Sequence, residues 1–195
     1  MDVSVLLEPT IDLARLAEIL DGLGHEGRVH ATRGWDRKKQ AKLFEAVKAN
    51  GPIGLDFLVP PSIGPLVEVI HDGKNTLPAF THFQKRFVKL EGEDFEVGGY
   101  NHQLMSPFTG PGYFVVRLGE GEHEGELAID YTKVPKHKPA SWPKVATNEG
   151  GLGSLVYGGM VDYLRKVSTH VSIGRAYKGG KAIDAWFALV RKDVA

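Results

Sequence analysis

The chain has 195 residues, 24 basic and 24 acidic side chains, 42% hydrophobic residues and no cysteine. That length suits one substantial core rather than two full domains, and the cancelled charge gives no electrostatic basis for nucleic acid or an anionic membrane as a main partner. Without cysteine, disulfides, thiolate nucleophiles and Cys-ligated zinc are excluded.

The first nine residues, Met1 to Pro9, carry neither a basic segment nor a long apolar one, so no secretory leader is expected. No apolar run approaches the roughly 20 residues a membrane-spanning helix needs. Together these features predict a soluble protein of a reducing, cytoplasmic compartment.

Thr10 reads as the N-cap of a helix over about 11–23, with Leu13, Leu16, Ala17, Leu20 and Leu23 as its apolar stripe and Gly22 and Gly24 to stop it. A short strand is expected from Arg28 to Arg33. Asp36 is placed to cap a second helix over about 37–49, with Leu43, Phe44 and Val47 facing the core and Asn50-Gly51 ending it. Its Arg37, Lys38, Lys39 and Lys42 oppose the helix dipole and read as a solvated basic face. Residues 51–65 hold four prolines among Ile53, Leu55, Phe57, Leu58 and Ile63, the pattern of an irregular but buried crossing.

From Leu66 the apolar period changes to two. Strands are predicted near 66–71, 79–90, 95–103, 112–118 and 126–133, separated by turns such as Asp72-Gly73-Lys74-Asn75 and Glu91-Gly92-Glu93-Asp94. Spacings this short favour antiparallel meander pairing. Residues 134–150 read as a proline-bearing loop, and Ser154 as the cap of a third helix over 154–167. Strands near 170–177 and 182–191 close the chain around the hairpin turn Lys178-Gly179-Gly180-Lys181. The whole predicts one α+β domain over 1–195. Residues 66–195 form a mostly antiparallel barrel or strongly curved sheet, two N-terminal helices within 1–50 pack on it, and one late helix precedes the C-terminal hairpin.

The segments with chemistry sit on those strands. Alternation along 80–90 puts His82, Gln84 and Arg86 on one face, bracketed by Phe80, Val88 and Leu90, and Thr81, Phe83, Lys85 and Phe87 on the other. A row of His, Gln and Arg between apolar residues suits the wall of a ligand-filled cavity, where buried polar groups find partners. In the next strand Tyr100 and His102 share a face, and Asn101 shares the other with Gly99. Where those polar faces meet, two imidazoles, a phenol and a guanidinium converge, a set able to hold an anion or move a proton near neutral pH. His71, beside its turn, joins the candidate ligand contacts, with Phe80, Tyr113 and Trp186 as apolar walls. Asp130 and Thr132 alternate with Ile129 and Tyr131, so Tyr131 reads as a core aromatic with a paired hydroxyl.

No motif asks for a cofactor or a metal. The glycines before the third helix have neither Gly-x-Gly-x-x-Gly nor P-loop spacing, and the Gly-x-Ser-x-Gly and His-Glu-x-x-His signatures are absent.

The C-terminal segment from Leu155 to Val167, followed by Val171-Ser172-Ile173-Gly174-Arg175-Ala176 and by Ala185-Trp186-Phe187-Ala188-Leu189-Val190-Arg191, resembles the end of small lipocalin-like proteins of unknown function named for a Gly-x-Trp-x-Gly motif. The likeness covers about a fifth of the chain. The motif itself is missing, and Gly98-Gly99-Tyr100 stands nearest to it. The resemblance implies a closed lipocalin-like barrel with an interior pocket and transfers no catalytic residue.

The leading expectation is therefore binding of a small, largely apolar molecule with a polar or acidic handle, anchored by His82, Gln84, Arg86, Tyr100 and His102. A second reading is a cofactor-independent enzyme with His82 or His102 as general base and Tyr100 or Arg86 stabilising an anion. A third is a non-catalytic interaction module, with a homodimer among its forms, working through the basic helix or an exposed strand edge.

Overall fold

A computed structural model describes Leu7 and residues 10–78, 81–102, 110–145 and 157–194. Eight strands form a closed antiparallel barrel: β1 (Val69–Asn75), β2 (His82–Lys89), β3 (Val97–His102), β4 (Tyr113–Leu118), β5 (Leu127–Asp130), β6 (Met160–Lys166), β7 (Val171–Lys178) and β8 (Lys181–Arg191). Each strand pairs with its neighbour in the chain, and β8 returns to pair with β1, Gly73 opposite Leu189. Closure leaves no sheet edge open to strand addition. At the β7–β8 turn Gly179 and Gly180 both take positive φ, 57° and 75°, the backbone a tight two-residue hairpin requires.

Three helices precede the barrel: α1 (Leu13–Gly22), α2 (His25–Arg33) and α3 (Arg37–Ala46). Asp36 caps α3 as expected, accepting from Lys39 N at 2.8 Å, whereas α1 is capped by Asp12 instead of Thr10. Leu16, Leu20, Leu43, Phe44 and Trp35 pack on Val171, Ile173, Trp186, Ala188 and Val190, the outer face of β7 and β8. Arg165 ties this layer to β6, donating to the Phe44 carbonyl at 2.6 Å while lying over the Phe44 ring.

Three expected elements differ. Asp72-Gly73-Lys74-Asn75, expected as a turn, is the second half of β1, because β2 and β8 pair with it on both sides. Arg28 to Arg33 belongs to helix α2 and is not a strand: its alternation also satisfies a helical stripe, in which Arg28, Val29, Ala31 and Thr32 are buried. The late helix over 154–167 is replaced across Met160–Lys166 by β6, whose pairing with both β5 and β7 supplies backbone partners on two sides. The proposed cap Ser154 lies outside the described residues. The sheet thus gains a strand; α1, α2 and α3 lie before it, and within the expected late helix Tyr157 is helical.

The barrel interior alternates with its outer face along every strand. Val69, Phe87, Val97, Phe114, Val116, Leu127, Ile129, Leu164, Phe187 and Leu189 form one inward cluster with Ile53, Phe57, Leu58 and Val59 of the proline-rich crossing. That crossing plugs one end. His71 Nε2 donates to the Leu58 carbonyl at 3.0 Å, and Arg191 donates to the Phe57 carbonyl at 2.5 Å. The loops β1–β2, β3–β4 and β5–β6 all leave from the opposite end.

Candidate functional site

Among the inward-facing apolar side chains, one polar group lies near the end opposite the plug. Lys85 of β2, Asn101 of β3, Tyr131 just past β5 and Asp162 of β6 all sit within a few residues of the strand termini at that end. In a ring of eight strands β2 and β6 are four apart, on opposite walls. The four-carbon stem of Lys85 therefore crosses the lumen. Its Nζ donates to Asn101 Oδ1 at 3.0 Å, to the Tyr131 hydroxyl, and to Asp162 Oδ2 at 3.3 Å. Asn101 Nδ2 donates to the Tyr131 hydroxyl at 3.0 Å, so the expected pairing of that phenol is met inside the barrel.

The cluster is dry. Lys85 and Asp162 side chains are 2% and 5% exposed. The ammonium lies 5.6, 5.2, 4.9 and 5.0 Å from the ring centroids of Phe83, Phe114, Tyr131 and Phe187, near enough for cation–π attraction to replace part of the lost hydration. Glycines make room for those rings: a Cβ on Gly73 would meet Phe83 at 2.6 Å, one on Gly174 would meet Phe187 at 2.4 Å, and one on Gly99 would meet Phe114 at 2.7 Å. The rings lie against the strand backbones, and the lysine occupies the space between them.

Burial works against every charge in the group. It lowers the Lys85 pKa, with Asp162 opposing, and raises that of Asp162, with Lys85 opposing. The Tyr131 phenol is held well above its ordinary value by burial and by the neighbouring Asp162. Burial thus shifts the proton affinities of amine and carboxyl toward one another. Asp162 Oδ1, buried, has no hydrogen-bond partner.

The sequence-derived site residues fall elsewhere, with one exception. His71 faces the interior, at the plug, stacked edge-on against Phe87 at 4.7 Å. His82, Gln84 and Arg86 lie on the outer face, because Phe83, Lys85 and Phe87 take the inner one. His82 and His102 are exposed. The polar row is one surface hydrogen-bond ladder: His25 to Asp72 at 2.8 Å, Gln84 to Asp72 at 2.9 Å, Arg86 to Gln84 at 2.9 Å and to Glu68 at 3.3 Å. Tyr100 and Tyr113 are buried on the outside beneath Trp142, whose Nε1 donates to Glu68 at 2.6 Å. Trp186 packs under the helices, with Arg175 over its ring. Phe80 lies outside the described residues.

Of the expected convergence, the Tyr100 phenol, the Arg86 guanidinium and the His102 imidazole do meet, Tyr100 bonding Arg86 and its ring lying 6.2 Å from that of His102, but on the outer face of the barrel rather than in the lumen. Lys85, Asn101 and Asp162 are not among the residues the sequence singles out as site candidates. The signal for Lys85 was present: it is the single charge between Phe83 and Phe87 on the more apolar face of its strand. Asp162 could be found only once β6 was a strand.

Among the described residues no group of three or more His, Asp or Glu is placed to hold a metal. An open groove of about 400 Å³ lies outside the barrel at the plugged end, lined by Leu55, Asp56, Val59, Pro61, Lys89 and Glu96, and it contains neither the Lys85 cluster nor any sequence-derived site residue. No described helix is long and apolar enough to cross a membrane.

Fold and site together define an eight-stranded antiparallel meander barrel, plugged at one end and carrying a lysine-centred polar cluster near the other. No protein-family model, curated protein or solved structure matches the chain.

Proposed function

We propose that the protein binds a small, largely apolar molecule through a polar handle inside a lipocalin-like barrel, with Lys85, Asp162, Tyr131 and Asn101 as the anchor. One observation carries this reading: an amine and a carboxyl, both almost wholly buried, cross the lumen of a mostly apolar barrel, and one carboxyl oxygen is left unpaired. Hydrophobic side chains of similar volume would fill that space at equal or greater stability, because desolvation of a buried ion pair can exceed its Coulombic gain. An eight-stranded barrel has an interior that side chains just fill or that holds one small ligand. A handle that accepts from Lys85 and engages Asp162 Oδ1 satisfies the cluster, while Phe83, Phe114 and Phe187 supply apolar contact.

The test is native mass spectrometry with 2-naphthamide, a flat apolar probe with a neutral polar handle, on the wild type and on the Lys85→Met/Asp162→Leu double variant. Removing both partners together avoids stranding a buried charge, so the double variant is expected to fold. Charge-assisted hydrogen bonds contribute about 1.5–3 kcal/mol, so binding is expected to weaken about tenfold or more in the double variant. Equal binding by the two proteins, or none by the wild type, rejects the reading.

A further inference from the structure

Resting on that reading, we infer that the ligand is an aldehyde or ketone and that Lys85 Nζ takes it covalently, as an imine, at the point where the amine meets Asp162 and Tyr131.

The geometry separates carbonyl ligands from anionic ones. A carboxylate or phosphate placed at Lys85 would bring a second acidic group against Asp162, 3.3 Å from the same nitrogen, and one amine cannot neutralise two acids in a dry interior. A carbonyl carries no charge into the site. Its electrophilic carbon faces an amine that four aromatic rings keep from water, and burial of this kind is what turns a lysine from a hydrated cation into a nucleophile. The lowered proton affinity of Lys85 acts in the same direction.

The balance of the step needs only groups already in contact. The Lys85 nitrogen lone pair forms a bond to the carbonyl carbon, and the C=O π electrons pass to oxygen. That oxygen takes a proton from the Asp162 carboxyl, and the attacking nitrogen gives one to the carboxylate so formed, leaving a neutral carbinolamine and a restored carboxyl group. Nitrogen then expels the hydroxyl, which leaves as water with a second proton from Asp162, and the remaining N–H proton returns to the carboxylate. The sum is carbonyl plus amine giving imine plus water, with no oxidation or reduction. Asp162 has two oxygens for this traffic, Oδ2 toward Lys85 and Tyr131 and Oδ1 unpartnered. Tyr131 and Asn101 hold the nitrogen in place.

The experiment incubates the full chain at neutral pH with equimolar 2-naphthaldehyde and cyanoborohydride, then maps the reductively trapped label by peptide mass spectrometry. The same protein is labelled in urea, and 2-naphthamide binding is measured beside it. The expected result is one label per native chain, at Lys85, at least about tenfold over any other lysine. That preference should vanish in urea and slow markedly in Asp162→Asn. A native protein that binds 2-naphthamide yet carries its label on exposed lysines, with Lys85 unmodified, overturns the imine and leaves the binding reading standing. Failure to bind 2-naphthamide together with an unlabelled Lys85 overturns both.

Discussion

Lys85 sits between Phe83 and Phe87 on a strand whose alternate residues are His82, Gln84 and Arg86, and the burial of that one amine divides the two faces of β2. Its neighbours are adjusted to it at single-residue resolution. Gly99, opposite Phe87 on β3, has no space for a side chain: a Cβ would come within 2.2 Å of the Arg86 carbonyl oxygen as well as against the Phe114 ring. Backbone cannot yield as a flexible side chain does, so Gly99→Ala should displace Phe114 and part of the β2–β3 ladder. Overpacking of this kind typically costs about 1–3 kcal/mol, and the backbone clash puts the expected loss at the upper end, about 3 kcal/mol. A urea midpoint unchanged from wild type would contradict this. The paired glycines Gly98-Gly99 mark a close approach of other groups, as glycine in a strand interior often does, and at Gly99 the approaching ring belongs to the chain itself.

The segment following β5 works as a strap on the outer face of β2, β3 and β4. Trp142 stacks edge-on against Tyr100 at 4.7 Å and bonds Glu68, Tyr113 hydroxyl donates to the Pro143 carbonyl at 2.6 Å, and Glu93 accepts from the backbone of Lys136 and His137 at 2.9 and 2.7 Å. Its conformation follows from those partners, since proline spacing alone prescribes only a loop. Trp142→Ala removes the ring that seals Tyr100 and Tyr113 from water. The expected destabilisation is about 3 kcal/mol, the lower end of the range for a buried tryptophan. Hydrogen exchange should accelerate first in residues 134–145, ahead of the barrel strands. Uniform acceleration across the barrel would instead mean that strap and strands open as one unit.

Taken whole, the molecule is a barrel closed at one end by its own chain, and that junction carries a built-in pH dependence. His71 is fully buried between Phe87 and the plug, and burial lowers its pKa from 6.5 to about 3. Unfolded, it takes a proton below its ordinary pKa; folded, it stays neutral until far lower. The unfolded state thus binds more protons between those two values. Stability contributed by His71 is complete above about pH 6.5 and falls as the pH drops toward 3, by roughly 4–5 kcal/mol at about 1.4 kcal/mol per unit. His71→Gln keeps a donor for the Leu58 carbonyl and cannot titrate. Its stability should change less between pH 7 and pH 4 than that of the wild type, as measured by urea unfolding at each pH. Parallel curves would remove His71 from the acid response.

What the sequence determined by itself was periodicity and punctuation. The switch to period two after Leu66, the later turn residues between runs and the Gly179-Gly180 hairpin located seven of the eight barrel strands, because those signals are local in origin, although β1 runs on through the turn expected at 72–75. The capping of α3 by Asp36 was equally local. Sequence also separated the two faces of β2 correctly: Phe83, Lys85 and Phe87 on one, His82, Gln84 and Arg86 on the other. Tertiary structure alone decided which face turned inward, since a period of two is symmetric and only closure and the apolar sum over all strands break the tie. It likewise decided β6, whose spacing fits a helix until β5 and β7 offer pairing on both sides, and α2, whose alternation fits a strand until a helical stripe finds a core to bury against. The cluster of Lys85 with Asp162 belongs to the same class. Its members are separated by 77 residues along the chain, and only a ring of eight strands sets them across one lumen.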